Sequence, residues 1–127
     1  MDSAVKLQLV ERYIAAFNAF DVEGMLATLS TDVVFRNYSG GQLTVQCSGR
    51  DAFGTLAEQA KARFTEREQL ITAVREVDGA LVVGIACRGT FAADMPGGPA
   101  AGTAFELAGQ TEFFFTEGRI SQLINRD

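Results

Sequence analysis

The chain contains no histidine. That removes the usual general base at neutral pH, the usual transition-metal ligand and every Ser-His or Cys-His nucleophile. Chemistry must then come from carboxylates, tyrosine, lysine, arginine or amides, and the suggestive placements fall on strand-like stretches. In AFELAGQTEFFFT, residues 104–116, Glu106, Ala108, Gln110, Glu112 and Phe114 share one face, while Phe105, Leu107, Gly109, Thr111, Phe113 and Phe115 share the other. A glutamate enclosed by apolar groups has its pKa raised and works as acid or base near neutrality, whereas a wet or arginine-paired Glu112 would do neither. In VVFRNYSGG, Asn37 closes a strand just before a glycine turn, either as the polar tooth of a pocket or as a turn residue. In the last strand Leu123, Asn125 and Asp127 share a face opposite Gln122, Ile124 and Arg126, with Asp127 at the end of the sequence and open to fraying.

The elements that must hold these groups follow from hydrophobic spacing. Val5, Leu9, Tyr13, Ala16, Phe17 and Phe20 recur at steps of three and four, with Lys6, Glu11, Arg12 and Asn18 between them, which predicts an amphipathic helix pointing Tyr13 inward. Asp21 can cap a second, short helix carrying Met25, Leu26 and Leu29, closed by Ser30-Thr31-Asp32. A hairpin, Val33–Tyr38 with Leu43–Cys47, turns around Ser39-Gly40-Gly41-Gln42. Ser48-Gly49-Arg50-Asp51 leads into a third helix, Ala52–Phe64, with Ser or Asp as its cap. The period then changes to two. Strands Thr65–Val77, Leu81–Ala92, Ala104–Thr116 and Arg119–Arg126, separated by Asp78-Gly79, a Met95–Gly102 loop and Glu117-Gly118, read as an antiparallel meander. Three helices followed mostly by strands make an α+β domain over residues 1–127, the helices packed on one face of a curved sheet. An apolar outer face on the Phe105 strand would need a cover, and a homodimer contact through the outer sheet face supplies one.

Composition excludes several classes. The length of 127 residues and 47% hydrophobic content support one domain with a real core. A net charge of −5 without a basic run repels nucleic acid. No stretch approaches the roughly 20 apolar residues of a membrane span, and the N-terminus MDSAVKLQLVERY lacks signal-peptide character, so the expected location is the cytoplasm. Cys47 and Cys87 fit neither a zinc spacing nor a redox pair and read as buried free thiols. No metal or cofactor is expected.

The order of these elements, and the phrases YIAAFNAFDVEGMLATLSTDVVF, SGRDAFGTL and GTFAADMPGGPAAG followed by TEFFFTEGRI, resemble the SnoaL-like and ketosteroid isomerase-like branch of the nuclear transport factor 2-like superfamily. The resemblance implies a cystatin-like, cone-shaped barrel with an apolar cavity, often in a homodimer. Relatives isomerise, cyclise, dehydrate or open epoxides in that cavity, and others only bind or scaffold. Fold alone does not choose among these. By the resemblance Tyr13 sits where isomerases keep an oxyanion-stabilising tyrosine, although a core tyrosine with a satisfied hydroxyl explains it as well. Asn37 stands where they keep the carboxylate base, and Gln110 where they keep a protonated aspartic acid in the oxyanion hole, the arrangement of the ketosteroid isomerase example. An amide at position 37 accepts no proton, which argues against ketosteroid isomerisation. The dehydratase-like patterns need a histidine, and no Asp-Arg-Asp cluster of the epoxide hydrolase kind can be placed.

Two readings result. In one, Tyr13 with Asn37 and Gln110 polarises an oxygen of a small hydrophobic molecule while Glu112, or Asp127, moves a proton in a cofactor-independent isomerase, cyclase or dehydratase. In the other, the chain is a noncatalytic homodimeric ligand-binding or scaffold protein. In both, Phe17, Phe35, Phe53, Phe114, Leu123 and Asn125 join Asn37 and Gln110 in lining the ligand site; the resemblance puts the Met95–Gly102 loop at its mouth, with glycines that allow lid motion, while a plain long hairpin connection explains that loop equally well.

Overall fold

The computed structural model describes residues 1–127. The chain runs α1 (Ser3–Asn18), α2 (Val22–Leu26), β1 (Leu29–Ser39), β2 (Gln42–Ser48), α3 (Arg50–Lys61), β3 (Phe64–Val77), β4 (Ala80–Phe91), β5 (Ala104–Thr116) and β6 (Arg119–Arg126). All six strands form one sheet in the order β2-β1-β6-β5-β4-β3. Every neighbouring pair is antiparallel except β1 and β6, which run parallel with Asn37 opposite Asn125. The meander is as expected; the parallel closure joining the first strand to the last was not. Register shifts at Asn37/Tyr38, Ile71/Ala73 and Phe114/Phe115 bend the strands around the helices.

Asp2 caps α1 by accepting from the Val5 amide. The helix buries Leu9, Val10, Tyr13, Ile14 and Ala16. Its inward stripe includes Lys6 where Val5 was expected: Val5 is exposed, and Lys6 buries its stem while Nζ donates to the Gly79 carbonyl at 2.7 Å and pairs with Glu76 at 3.2 Å. At the far end the Phe20 amide donates to Phe17 O and the Asp21 amide to Ala16 O, a Schellman closure with Phe20 in the left-handed region at φ 57°. Asn18 then reaches the sheet's β3 edge, donating to Gln69 O at 3.1 Å and accepting from Gln69 N at 2.7 Å. It occupies backbone groups that an edge strand otherwise leaves open.

Asp21 caps α2 through the Gly24 amide, as its position suggested. That helix stops at Leu26, so Leu29 and Ser30-Thr31-Asp32 belong to β1; Leu29 is fully buried opposite Ile120. Gly49, at φ 92°, takes the N-cap position of α3, and neither Ser48 nor Asp51 supplies a side-chain cap. Phe64 starts β3 rather than ending α3. Cys47 and Cys87 are free and half-buried.

The largest departure concerns the faces of β5. Phe113 is 1% exposed and meets the Tyr13 ring edge-on at 5.8 Å, so the Phe113 and Thr111 face turns inward under α1. Gln110, Glu112 and Phe114 therefore face out. Of the apolar face assigned to the outside, Thr111, Phe113 and Phe115 turn toward the core while Leu107 stays 50% exposed, and a strand's period of two reverses the residues between them. The outer face carries Leu70, Ala86 and Ala108 side by side, bordered by the Arg88–Glu68 pair at 2.8 Å.

Candidate functional site

Between α1, α3 and the concave face of the sheet lies a cavity of about 270 Å³. Its apolar wall comes from Phe17 of α1, Met25 of α2, Phe35 of β1, Val45 of β2 and Phe53, Leu56, Ala57 and Ala60 of α3. Phe35 and Phe53 meet edge-to-face at 5.5 Å, and Phe53 leans on Tyr13 at 6.4 Å, so rigid rings define the space. Its polar groups are Tyr13, Asn37, Arg63, Arg67, Gln69, Thr111 and Asn125. No carboxylate lines it.

Register brings three of these together. Asn37 and Asn125 are partners across the parallel pair, and Asn125 faces Thr111 across β5–β6. Thr111 Oγ1 donates to Asn125 Oδ1 at 2.8 Å, which leaves the Asn125 NH₂ free to donate. Asn37 Nδ2 donates to Thr44 Oγ1 at 2.9 Å, and Thr44 Oγ1 donates back to Asn37 O at 3.1 Å, which leaves the side-chain oxygen as its free group. An adjoining recess of about 150 Å³ shares Asn37, Gln69, Thr111 and Asn125 and continues to Leu107, Gly109, Gln110, Arg126 and Asp127. Gly109 is required there, because a Cβ would stand 2.5 Å from the Arg126 carbonyl oxygen.

Tyr13 is 7% exposed, and its hydroxyl makes no hydrogen bond to the protein. Burial pushes its phenol well above the ordinary tyrosine value, and the nearby Arg67 charge lowers it only in part. Arg67 is 6% exposed. Its Nε donates to Phe17 O at 3.0 Å, one of the last carbonyls of α1, and the guanidinium lies 3.8 Å from the Phe17 ring centre and 4.6 Å from that of Phe20. Desolvation lowers the Arg67 pKa, opposed by Tyr13 and Cys87.

The site residues inferred from sequence thus divide. Tyr13, Phe17, Asn37, Phe35, Phe53 and Asn125 line the cavity. Leu123 is buried in the core beside it at 1% exposure. Gln110 borders only the adjoining recess, as does Asp127. Glu112 faces the other side of the sheet, paired to Arg126 at 2.6 Å, and Phe114 shares that face. The cause is the reversed parity of β5: Phe113 fits beneath Tyr13, so its neighbours cannot. The Met95–Gly102 loop lines neither space and is tied to itself, Met95 N donating to Pro99 O at 2.9 Å and Gly98 N to Met95 O at 2.9 Å. Sequence reasoning missed Arg63, Arg67, Gln69 and Thr111. The signal available was Arg67 and Gln69 alternating in step with the apolar Ile71 of TEREQLIT.

The architecture is that of helices closing a bent sheet over a largely apolar chamber. The chain belongs to the SnoaL-like domain family, whose sequence pattern matches residues 10–123. Among solved structures it is similar to a candidate polyketide cyclase from Xanthomonas campestris pv. campestris, with 24% identity, TM-score 0.85, and coverage of 98% of this chain and 90% of that one. It is also similar to an uncharacterized cystatin-fold protein from Novosphingobium aromaticivorans, at 19% identity and TM-score 0.73 over 94% and 95% of the two chains. A third likeness is to an LEH-like epoxide hydrolase from Mycobacterium tuberculosis, at 19% identity and TM-score 0.76 over 97% and 82%. These establish the cystatin-like α+β fold. No match was found among curated proteins.

Proposed function

We propose that this SnoaL-like chain binds a small, largely apolar, oxygen-bearing molecule in the cavity beneath α1, and that binding rather than acid–base turnover is its primary role. The observation that carries this reading is the wall itself: a phenol, two asparagines, a glutamine, a threonine and two arginines on an apolar chamber, with no carboxylate and no histidine. Such groups orient and polarise a carbonyl or hydroxyl, but none takes up a proton near neutral pH. The volume, just under the roughly 300–1,000 Å³ usual for ligand pockets, favours a compact ligand. Two free cysteines suit a reducing compartment, and we place the protein in the cytoplasm.

A second reading, a cofactor-independent isomerase, cyclase or dehydratase, draws on the likeness to the candidate polyketide cyclase and on Asp127 at the edge of the adjoining recess. In that reading Asp127 moves the proton and Tyr13 holds the oxygen. Epoxide opening by an Asp-Arg-Asp cluster is disfavoured, since Arg67 stands on the wall without either aspartate.

Thermal melts and mass spectrometry with a panel of small cyclic ketones, phenols and lactones separate the two. Binding predicts a concentration-dependent rise in Tm with the compound recovered unchanged. Recovery of a converted compound, lost in Asp127→Asn while the Tm shift persists, would establish the catalytic reading instead.

A further inference from the structure

We infer that the ligand of this cavity is a carboxylate, its oxygens seated on the Arg67 guanidinium beside the Tyr13 hydroxyl, with an apolar body against Phe35, Phe53 and Leu56. The inference rests on the ligand-binding role proposed for the same cavity and adds the ligand's charge to it.

Arg67 is the carrying observation. It is 6% exposed, yet it takes part in none of the four ion pairs of the molecule. Its place at the C-terminal end of α1 accounts for Nε, which donates to Phe17 O, and for part of the charge, which meets the negative end of the helix dipole. It does not account for Nη2, which is buried with no hydrogen-bond partner. A guanidinium with no counter-ion and one donor sealed without an acceptor is a costly arrangement, and an anionic oxygen against its cavity-facing side offsets the unpaired charge.

The wall repeats the bias. Acidic residues outnumber basic ones 16 to 11 in the chain, but the cavity is lined by two arginines, Arg63 and Arg67, and by no acidic residue. A planar guanidinium fork matches a carboxylate in shape as well as charge. The rings of Phe17 and Phe20 stack on Arg67 and fix the plane of that fork. Tyr13, whose hydroxyl has no protein acceptor, supplies a neutral donor within reach of the same charge.

Isothermal titration of the full chain with phenylacetate, cyclohexanecarboxylate and hexanoate, each against its own primary amide, tests this. In at least one pair the acid is expected to bind about tenfold more tightly than the amide, a difference of about 1.4 kcal/mol. Arg67→Gln should abolish that preference, and Arg67→Lys should retain part of it. Should either variant fail to fold, the guanidinium ¹⁵Nη resonance of Arg67 in the unaltered protein must shift on titration with the acid and not with the amide. Amides binding as tightly as acids in every pair would overturn the inference and leave the binding role standing. An acid preference that survives Arg67→Gln, or an Arg67 resonance indifferent to the acid, would overturn the assignment to Arg67. Binding of neither member of any pair would overturn both the inference and the role beneath it.

Discussion

Asn37 satisfies both of the descriptions that its sequence context left open. Its NH₂ closes a ring with Thr44 across the β1–β2 irregularity, as a turn residue does, and its side chain still lies on the cavity wall beside Asn125. Tyr13 was legible for a simple reason: helical spacing fixes which way a residue points, whatever the partner. Arg67 was not, because a charged residue between Glu66 and Glu68 looks like solvated surface until the end of a helix is laid over it. Tyr13 also makes a titration prediction. In the unfolded chain its phenol ionises near pH 10, and in the folded protein only well above that. Between those limits the folded state holds a proton that the unfolded state has lost, so stability is full below about pH 10 and declines as pH rises further. Melting temperatures from pH 8 to 11.5 should fall at the alkaline end, and Tyr13→Phe should flatten the fall. Identical profiles for the two proteins would show that the buried phenol carries none of it.

At the level of elements, the end of α1 is the least ordinary piece of the chain. A phenylalanine at φ 57° occupies a position that glycine takes at no steric cost, and the left-handed conformation costs roughly 1–2 kcal/mol for a residue with a Cβ. Its ring over a desolvated guanidinium returns a comparable amount, about 2 kcal/mol, before any apolar burial is counted. The predicted order of stability in urea is therefore unaltered protein, then Phe20→Gly, then Phe20→Leu, which keeps the strain and loses the stacking. A Phe20→Gly protein more stable than the parent would mean that the ring's stacking does not offset the strain. Helices and turns were readable because caps, glycines and periodicity are local. The facing of β5 was not, because both of its faces carry phenylalanine, and only the meeting of Phe113 with Tyr13 decides between them.

Over the whole molecule, the meander could be read from its Asp-Gly and Glu-Gly turns, whereas the β1–β6 pairing had no signal within either strand. The outer face of the sheet leaves Leu70 53% exposed beside Ala86 and Ala108, a small apolar strip flanked by charge. We propose that a second copy covers it. Sedimentation at micromolar concentration should give twice the 13.6 kDa chain mass, and Leu70→Glu should return it to one; a monomeric parent protein would remove the dimer. No helix of the chain is long and apolar enough to cross a membrane. The parallel pair also bears on how the site comes into being. Asn37 and Asn125 meet only after a loop of about ninety residues has closed, at a length-dependent entropic cost of about 4 kcal/mol. During synthesis the helices and the first hairpin emerge long before the strand that completes the polar end of the chamber. The polar end of the chamber is therefore completed last, and a chain cut short before β6 would lack Asn125 and that end of the wall as well as the strand.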